Sequence, residues 1–266
     1  MTYARVAPTT HHQQESAIRR ALLRTAKTHV ARRLGPEWTA RLIRWRRGLY
    51  EAAGSDRYSR PGLNDLDRKL AQYVDLTGGF FIEAGANDGF TQSNTYYLER
   101  FKGWRGILVE GIPELAARCR AQRPSAQLFE CALVADGYPH STVEMTFCGL
   151  MSVTEGAFAS TDRTVDDHLA SGSHVQGLRP YSLQVPARTL TAVLDEANPP
   201  PVIDLFSLDV EGFELEVLKG LDFDRYRPRY LLIEALKLPP VEAYLAPHYE
   251  LVDALTHHDY LFRARS

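Results

Sequence analysis

Phe80-Phe81-Ile82-Glu83-Ala84-Gly85-Ala86-Asn87-Asp88-Gly89 decides the fold. Its first three residues are aromatic or β-branched and make a short apolar run, the composition of a strand. The run ends on an acid and then on glycines, so the chain turns sharply and its backbone can approach a ligand with no Cβ in the way. Ser93 or Asn94 is placed to cap a helix through Tyr97-Leu98-Glu99-Arg100. Strand, glycine turn and helix open a βαβ unit, and in an open α/β sheet the loop after such a strand borders the ligand. The spacing is not Gly-x-Gly-x-x-Gly, which disfavours a dinucleotide pyrophosphate, and Gly-x-x-x-x-Gly-Lys is absent.

The same alternation continues along the chain. Gly106-Ile107-Leu108-Val109-Glu110 reads as the second strand, and Pro113-Glu114 opens a helix with proline in the first turn and an acid at the positive dipole end. Gln127 to Leu133 reads as one third strand. Val143-Glu144-Met145-Thr146-Phe147 alternates strictly, the pattern of an antiparallel excursion. Residues 149–180 are rich in Gly, Ser, His and Asp and too long for an ordinary connection, which makes them a candidate lid or substrate loop. A helix starts at Thr189-Leu190, Val202 to Val210 reads as a buried strand, and Glu214 to Lys219 as a helix closed by Gly220. Tyr230 to Glu234, Tyr249 to Val252 and Tyr260 to Arg263 complete the strands. The expected class is α/β, with about seven strands in a mostly parallel sheet and helices on both faces.

Acids at the strand ends discriminate between ligands. Glu83 and Asp88 repel a pyrophosphate and attract a ligand with an amino group and a sulfonium. Glu110, 21 residues after Gly89, ends the second strand where a carboxylate can accept from both hydroxyls of a ribose. A nucleoside without phosphates meets both conditions, and S-adenosylmethionine is the common one. A second cluster, Ser207-Leu208-Asp209-Val210-Glu211-Gly212, places Asp209 and Glu211 beside the same crevice. These acids can hold an ammonium, bind a divalent cation through oxygen, or take a proton from an attacking hydroxyl. Glu211 can equally serve as a dipole-compensating acid at the next helix.

Three blocks in this order carry a family resemblance: 81–89 with Ser93 to Glu99, then Gly103 to Glu110, then Leu208 to Gly220. Over roughly residues 70–264 the chain resembles the FkbM-type methyltransferases. The resemblance implies a class I Rossmann-like S-adenosylmethionine-dependent methyltransferase fold and, most often, methylation of a hydroxyl on a sugar, polyketide or other secondary metabolite. Carried over, Glu83, Gly85, Ala86, Asn87, Asp88, Gly89, Ser93, Glu110, Gly111, Cys131, Ala132 and Asp209 are expected to hold the cofactor. Met151 and Ser152, in the stretch Gly149-Leu150-Met151-Ser152, and Glu234 are expected on the substrate side.

Methyl transfer from a sulfonium is an in-line displacement, so the protein must align the acceptor and remove its proton. An aliphatic hydroxyl is a weak acid, and a base or metal is expected beside it. Asp209 is the leading candidate, with Glu211 and the loop residues His168 and His174 as the others. Asp209, Glu211 and Glu234 also offer oxygens to Mg2+. His257-His258 and His11-His12 read as exposed pairs without a third ligand, and no metal site is assigned. The expected reaction is O-methylation of a small molecule; the alternatives are methylation of RNA or protein, and a catalytically silent assembly subunit.

Composition bounds these readings. The chain has 266 residues with hydrophobic residues at 44% and charged ones at 24%, ordinary globular values. No apolar run reaches the roughly 20 residues of a membrane span, and no signal-peptide core stands at the start, so a cytoplasmic protein is expected. Cys119, Cys131 and Cys148 make no Cys-x-x-Cys pair and read as small core residues. The net charge of −2 hides a split: residues 1–60 hold 13 basic and 4 acidic residues, net +9, and the remainder is net −11. Residues 1–60 are therefore expected to be a separate basic extension ahead of a methyltransferase domain at 61–266. Two amphipathic helices are expected there, with Ile18, Leu22, Leu23, Ala26 and Val30 on the first and Trp38, Leu42, Ile43 and Trp45 on the second. Self-association, or contact with the acidic body, is the expected role, and the absence of a reader motif disfavours nucleic acid.

Overall fold

Seven strands form the main sheet of the computed structural model in the order β10 (Tyr249–Ala254), β11 (Asp259–Ala264), β9 (Tyr230–Glu234), β8 (Leu205–Leu208), β1 (Phe80–Ala84), β2 (Arg105–Val109), β3 (Gln127–Phe129). From β9 to β3 every pairing is parallel, and β11 and β10 add an antiparallel hairpin at one edge. The structure describes residues 38–147, 153–154 and 181–265. By contacts the chain divides into two units, Met1–Tyr58 and Ser59–Ser266.

In the second unit, the chain steps outward from β1 to β3 and then returns on the other side of β1 as β8. The loops leaving β1 and β8 diverge there, and this switch point opens a crevice beyond the strand ends. Register aligns its walls: Ala84 pairs with both Val109 and Leu208, so Gly85, Glu110 and Asp209 follow at one level.

Strand alternation sends successive side chains to opposite faces, and both faces are covered. Ile82, Ile107, Phe206 and Ile233 pack with Leu190, Val193 and Leu194 of α5 (Leu190–Ala197), Leu218 of α6 (Glu214–Lys219) and Leu245 of α7 (Leu238–Leu245). Phe81, Leu108, Leu205 and Leu232 pack with Leu66 and Leu70 of α2 (Leu66–Leu70), Leu98 of α3 (Tyr96–Lys102) and Cys119 of α4 (Pro113–Gln122). The Thr189 hydroxyl caps α5 by accepting from the Ala192 N–H at 3.1 Å. In the first unit, α1 spans residues 38–52, and Tyr50 meets Tyr58 edge-on at 4.9 Å. The helix expected over Ile18 to Val30 lies outside the described residues. No helix among the described residues is long and apolar enough to cross a membrane.

Several elements depart from the sequence expectation. The third strand divides: β3 stops at Phe129, and β4 (Ala132–Leu133) leaves the main sheet to pair with β7 (Tyr181–Arg188). With β5 (Thr142–Phe147) and β6 (Val153–Thr154) they form a second sheet in the order β4-β7-β5-β6, in which β5 is antiparallel to both neighbours. The expected strand over 202–210 narrows to β8, because Asp204 ahead of it and Asp209 after it turn to polar partners. α3 begins at Tyr96, and Ser93 caps from three residues upstream, its hydroxyl accepting the Tyr96 N–H at 3.0 Å. α7 has no counterpart in the sequence expectation; its two prolines stand in its first turn, where no N–H is needed.

Candidate functional site

The crevice at the switch point encloses about 920 Å³, counting its open mouth. Its walls come from the β1 tip with the loop to Asn94, from Val109 to Gly111, from Cys131 to Leu133, and from the loop after β8. Gly85 permits this convergence. It has φ +81°, and a Cβ there would lie 1.8 Å from the Asp209 carbonyl oxygen, so only glycine lets the β1 and β8 tips meet.

Glu83 ends β1 as a buried carboxylate with a dense set of donors. Its Oε2 accepts from Ser93 Oγ at 2.9 Å, Thr95 Oγ1 at 2.6 Å and Arg123 Nη1 at 3.4 Å, and its Oε1 accepts the Asn94 N–H at 3.0 Å. Arg123, whose side chain is 1% exposed, also donates to Glu99 at 2.5 Å and to the Gly89 carbonyl at 3.2 Å. One buried cation thus serves two carboxylates. Oε1, with a single donor among the described residues, keeps acceptor capacity toward the crevice.

Glu110 closes β2 from the opposite wall. Its Oε2 accepts the Asn87 N–H and its Oε1 the Ile112 N–H, each at 2.8 Å. Asn87 reaches this position in the left-handed region, φ 51°, which asparagine tolerates better than most residues. Burial pushes the Glu110 carboxyl up to about 7, against the lowering effect of these backbone donors. The Gly111 N–H is a third backbone donor to this carboxylate, which still has room for further donors.

At the end of β8 the acids gather. Asp209 and Glu234 lie within hydrogen-bonding reach of each other. Burial first, and then the negative charge of Glu234, raise Asp209 well above the usual carboxylate range; burial and the charge of Glu211 raise Glu234 to about 7. Asp209 Oδ1 is buried with no donor among the described residues. Two carboxyls in such contact are stable when a proton sits between them. Glu214 organises the loop above: its Oε1 accepts from Val210 N at 3.2 Å and Gly212 N at 2.9 Å, and burial raises it to about 7. Glu211, on that loop, takes a left-handed φ of 55°, a strained position for glutamate that the Glu214 bonds on either side hold in place.

Residues 83–262 match the family described as the methyltransferase FkbM domain. The chain belongs to the FkbM methyltransferase family. The fold and the family are those of S-adenosylmethionine-dependent methyltransferases. No curated protein matches the sequence. The FkbM chain is similar, at a TM-score of 0.39 and 13% identity, to a TehB-like SAM-dependent methyltransferase from Corynebacterium glutamicum, covering 85% of this chain and 97% of that one. It is also similar to a SAM-dependent methyltransferase from Aquifex aeolicus, at 0.38 and 13% identity over 79% and 93% of the two chains. A SAH-bound methyltransferase from Podospora anserina gives 0.38 and 11% identity over 99% and 100%.

Of the residues expected to hold the cofactor, Glu83, Gly85, Ala86, Asn87, Ser93, Glu110, Gly111, Cys131, Ala132 and Asp209 line the FkbM crevice. Asp88 and Gly89 lie behind it. Asp88 shapes the turn by accepting from the Phe90 and Thr91 N–H groups, and Gly89 leaves space for Cys119 and Arg123. Glu211 lines the crevice, and Glu234 stands behind Asp209. Met151, Ser152, His168 and His174 lie outside the described residues. Asn94, Leu115, Met145, Ser207 and Phe213 are crevice residues that the sequence reading passed over. Met145 was findable only in part: β5 was legible as a strand, but not its position over Gly111, where a Cβ would lie 2.4 Å from the Met145 sulfur.

The oxygens offered to Mg2+ do not gather as a site. Among the described residues the acid and histidine groups with ligand atoms within 4.8 Å of one another are Glu234, His258 and Asp259, which include neither Asp209 nor Glu211. Mg2+ requires an octahedral oxygen shell. An imidazole in the set, and a carboxyl pair arranged around a proton, do not fit that requirement. His257 is exposed as expected, whereas His258 is partly buried, with Nε2 3.5 Å from oxygens of both Glu234 and Asp259.

Proposed function

We propose that this protein transfers a methyl group from S-adenosylmethionine to a hydroxyl of a small molecule such as a sugar, glycoside or polyketide-type metabolite. The observation that carries the reading is the Asp209–Glu234 carboxyl pair, with Asp209 on the crevice wall and Glu234 behind it, whose burial and mutual charge make Asp209 a stronger proton acceptor. A carboxylate of ordinary acidity is a poor base for an alcohol; one raised toward neutrality is better matched.

The crevice fits the cofactor. Glu110 has free acceptor capacity for the two ribose hydroxyls, fixed in orientation by the Asn87 and Ile112 N–H groups. Glu83 Oε1 is positioned for an ammonium group, while Arg123 keeps the rest of that carboxylate in place. Bound S-adenosylmethionine supplies an electrophilic methyl on a sulfonium. Asp209 accepts the proton of the attacking hydroxyl. With one proton already between Asp209 and Glu234, the pair carries one negative charge and can take one more proton. Glu214 holds the Val210 and Gly212 N–H groups and thereby keeps Asp209 at the acceptor. Met151 and Ser152 are assigned to the acceptor side.

Asp209→Asn tests the reading, with labelled S-adenosylmethionine offered to a panel of glycosides and to RNA. Turnover is expected to fall about 10²- to 10⁴-fold, more than the affinity for S-adenosylhomocysteine falls. Near-normal turnover removes the role of Asp209, and labelling of RNA alone removes the small-molecule acceptor.

A further inference from the structure

Trp38, Leu42, Trp45 and Leu49 of α1 fall within about 60° of arc at 100° per residue. They are 59%, 48%, 65% and 50% exposed. The remaining tryptophan, Trp104, is 1% exposed, so two of the chain's three indoles stand in water on one stripe of one helix. Arg41 and Arg46 flank the stripe about 70° to either side, and Arg44 lies toward the back. The Arg41 guanidinium sits 5.4 Å from the Trp38 ring centre, at the stripe's border, and that of Arg46 rests 4.0 Å from the Tyr58 ring. Residues 38–52 hold four arginines and one acid, Glu51, within an extension of net charge +9.

Three occupants can be weighed by charge. The spacing of the stripe is also that of a coiled-coil seam, but a second copy would set the flanking arginines of each helix against those of the other. The described part of the helix supplies about two heptads, where a coiled coil generally needs three or four. Nucleic acid would engage the arginines and leave both indoles and both leucines in water. An anionic bilayer satisfies the stripe and its border: indoles settle at headgroup level, leucines reach the acyl boundary, and Arg41 meets phosphates, while Arg47 stays buried against Glu51. We infer that α1 is an interfacial helix that lies on an anionic phospholipid surface and holds the enzyme there without spanning it.

The test uses the full-length protein and vesicles of phosphatidylglycerol mixed with phosphatidylcholine, against vesicles of phosphatidylcholine alone. The protein is expected to float with the anionic vesicles only, to shift its tryptophan emission to the blue on binding, and to be released by salt. Arg41→Gln should weaken the affinity about fivefold, and Arg44→Gln, toward the back of the helix, should weaken it less. Trp38→Ala with Trp45→Ala should abolish flotation while leaving the far-ultraviolet circular dichroism spectrum unchanged. Failure to float, or equal flotation with both vesicle types, overturns the inference. A dimer in light scattering that the tryptophan variant separates, with no vesicle binding, assigns the stripe to a second copy. Retention on RNA in place of vesicles assigns α1 to nucleic acid.

Discussion

Glu110 offers the sharpest test of the crevice, because its charge state and its proposed task are coupled. In the free protein burial holds its carboxyl at about 7. Ribose hydroxyls donate to the ionised form, so binding must displace the proton whenever the pH lies below that value. At pH 6 about ten protonated carboxyls stand for each ionised one, so S-adenosylhomocysteine should bind about tenfold more weakly than at pH 8, and the affinity should level off above 7. Below pH 7 calorimetry in buffers of different ionisation enthalpy should record a proton released on binding. Glu110→Ala removes two charge-assisted hydrogen bonds of about 1.5–3 kcal/mol each, so its affinity should fall by about a hundredfold or more. Glu110→Gln should bind weakly with the pH dependence of this step gone, which separates Glu110 from the Asp209–Glu234 pair on the opposite wall. An unchanged affinity in the alanine variant, or the same pH profile in the glutamine variant, would refute the ribose assignment.

The buried acids make a second prediction. Glu110, Glu214 and Glu234 are each raised from an ordinary 4.5 to about 7, and Asp209 is raised as well. Each favours its neutral form in the fold, so its stabilising contribution is complete below the unfolded value and is lost as pH rises through 7. The ligand-free protein should therefore melt at a higher temperature at pH 6 than at pH 8, with about 1.4 kcal/mol as the ceiling for one such glutamate between those two pH values; scanning calorimetry that showed the reverse would contradict it. Arg123→Met leaves Glu83 and Glu99 buried without their cation and should destabilise by about 3–5 kcal/mol in urea unfolding. Adding Glu83→Gln should recover part of that loss, and no recovery would deny their coupling. Gly85→Ala brings a Cβ to 1.8 Å from the Asp209 carbonyl oxygen and should eliminate measurable S-adenosylhomocysteine binding, with the melting temperature lowered as well.

Local pattern made the first βα turn legible, because a strand run, an acid and two glycines stand together in Phe80 to Gly89. Glu110 was equally visible at the end of the next strand. The division of the third strand was not, since Glu130 and Cys131 barely interrupt an apolar run and only the pairing of Ala132 with Ala187 reveals it. β7 escaped because Pro186 weakens the strand pattern, and its main partner β5 lies far back in the chain. Glu214 read as an acid in the first turn of a helix, whereas its main partners are the two N–H groups of the preceding loop. Arg123 gave no signal at all. It follows a helix and precedes a proline, and its importance comes from five polar partners that fold around it from β1, the loop after it and α3. Contacts that are distant in sequence but short in space leave no period to read.

Ala132 and Leu133 belong to two structures at once, the wall of the crevice and the root of the outlying sheet. Such a shared segment works as a lever. A guest resting on the strands from Thr142 to Phe147, or a substitution among them, bears on the wall through Ala187 and Arg188 without disturbing the parallel strands behind it. The larger sheet can stay a fixed anvil while the smaller one is recut, which gives descendants of this chain a way to exchange one guest for another and keep the adenosyl end intact.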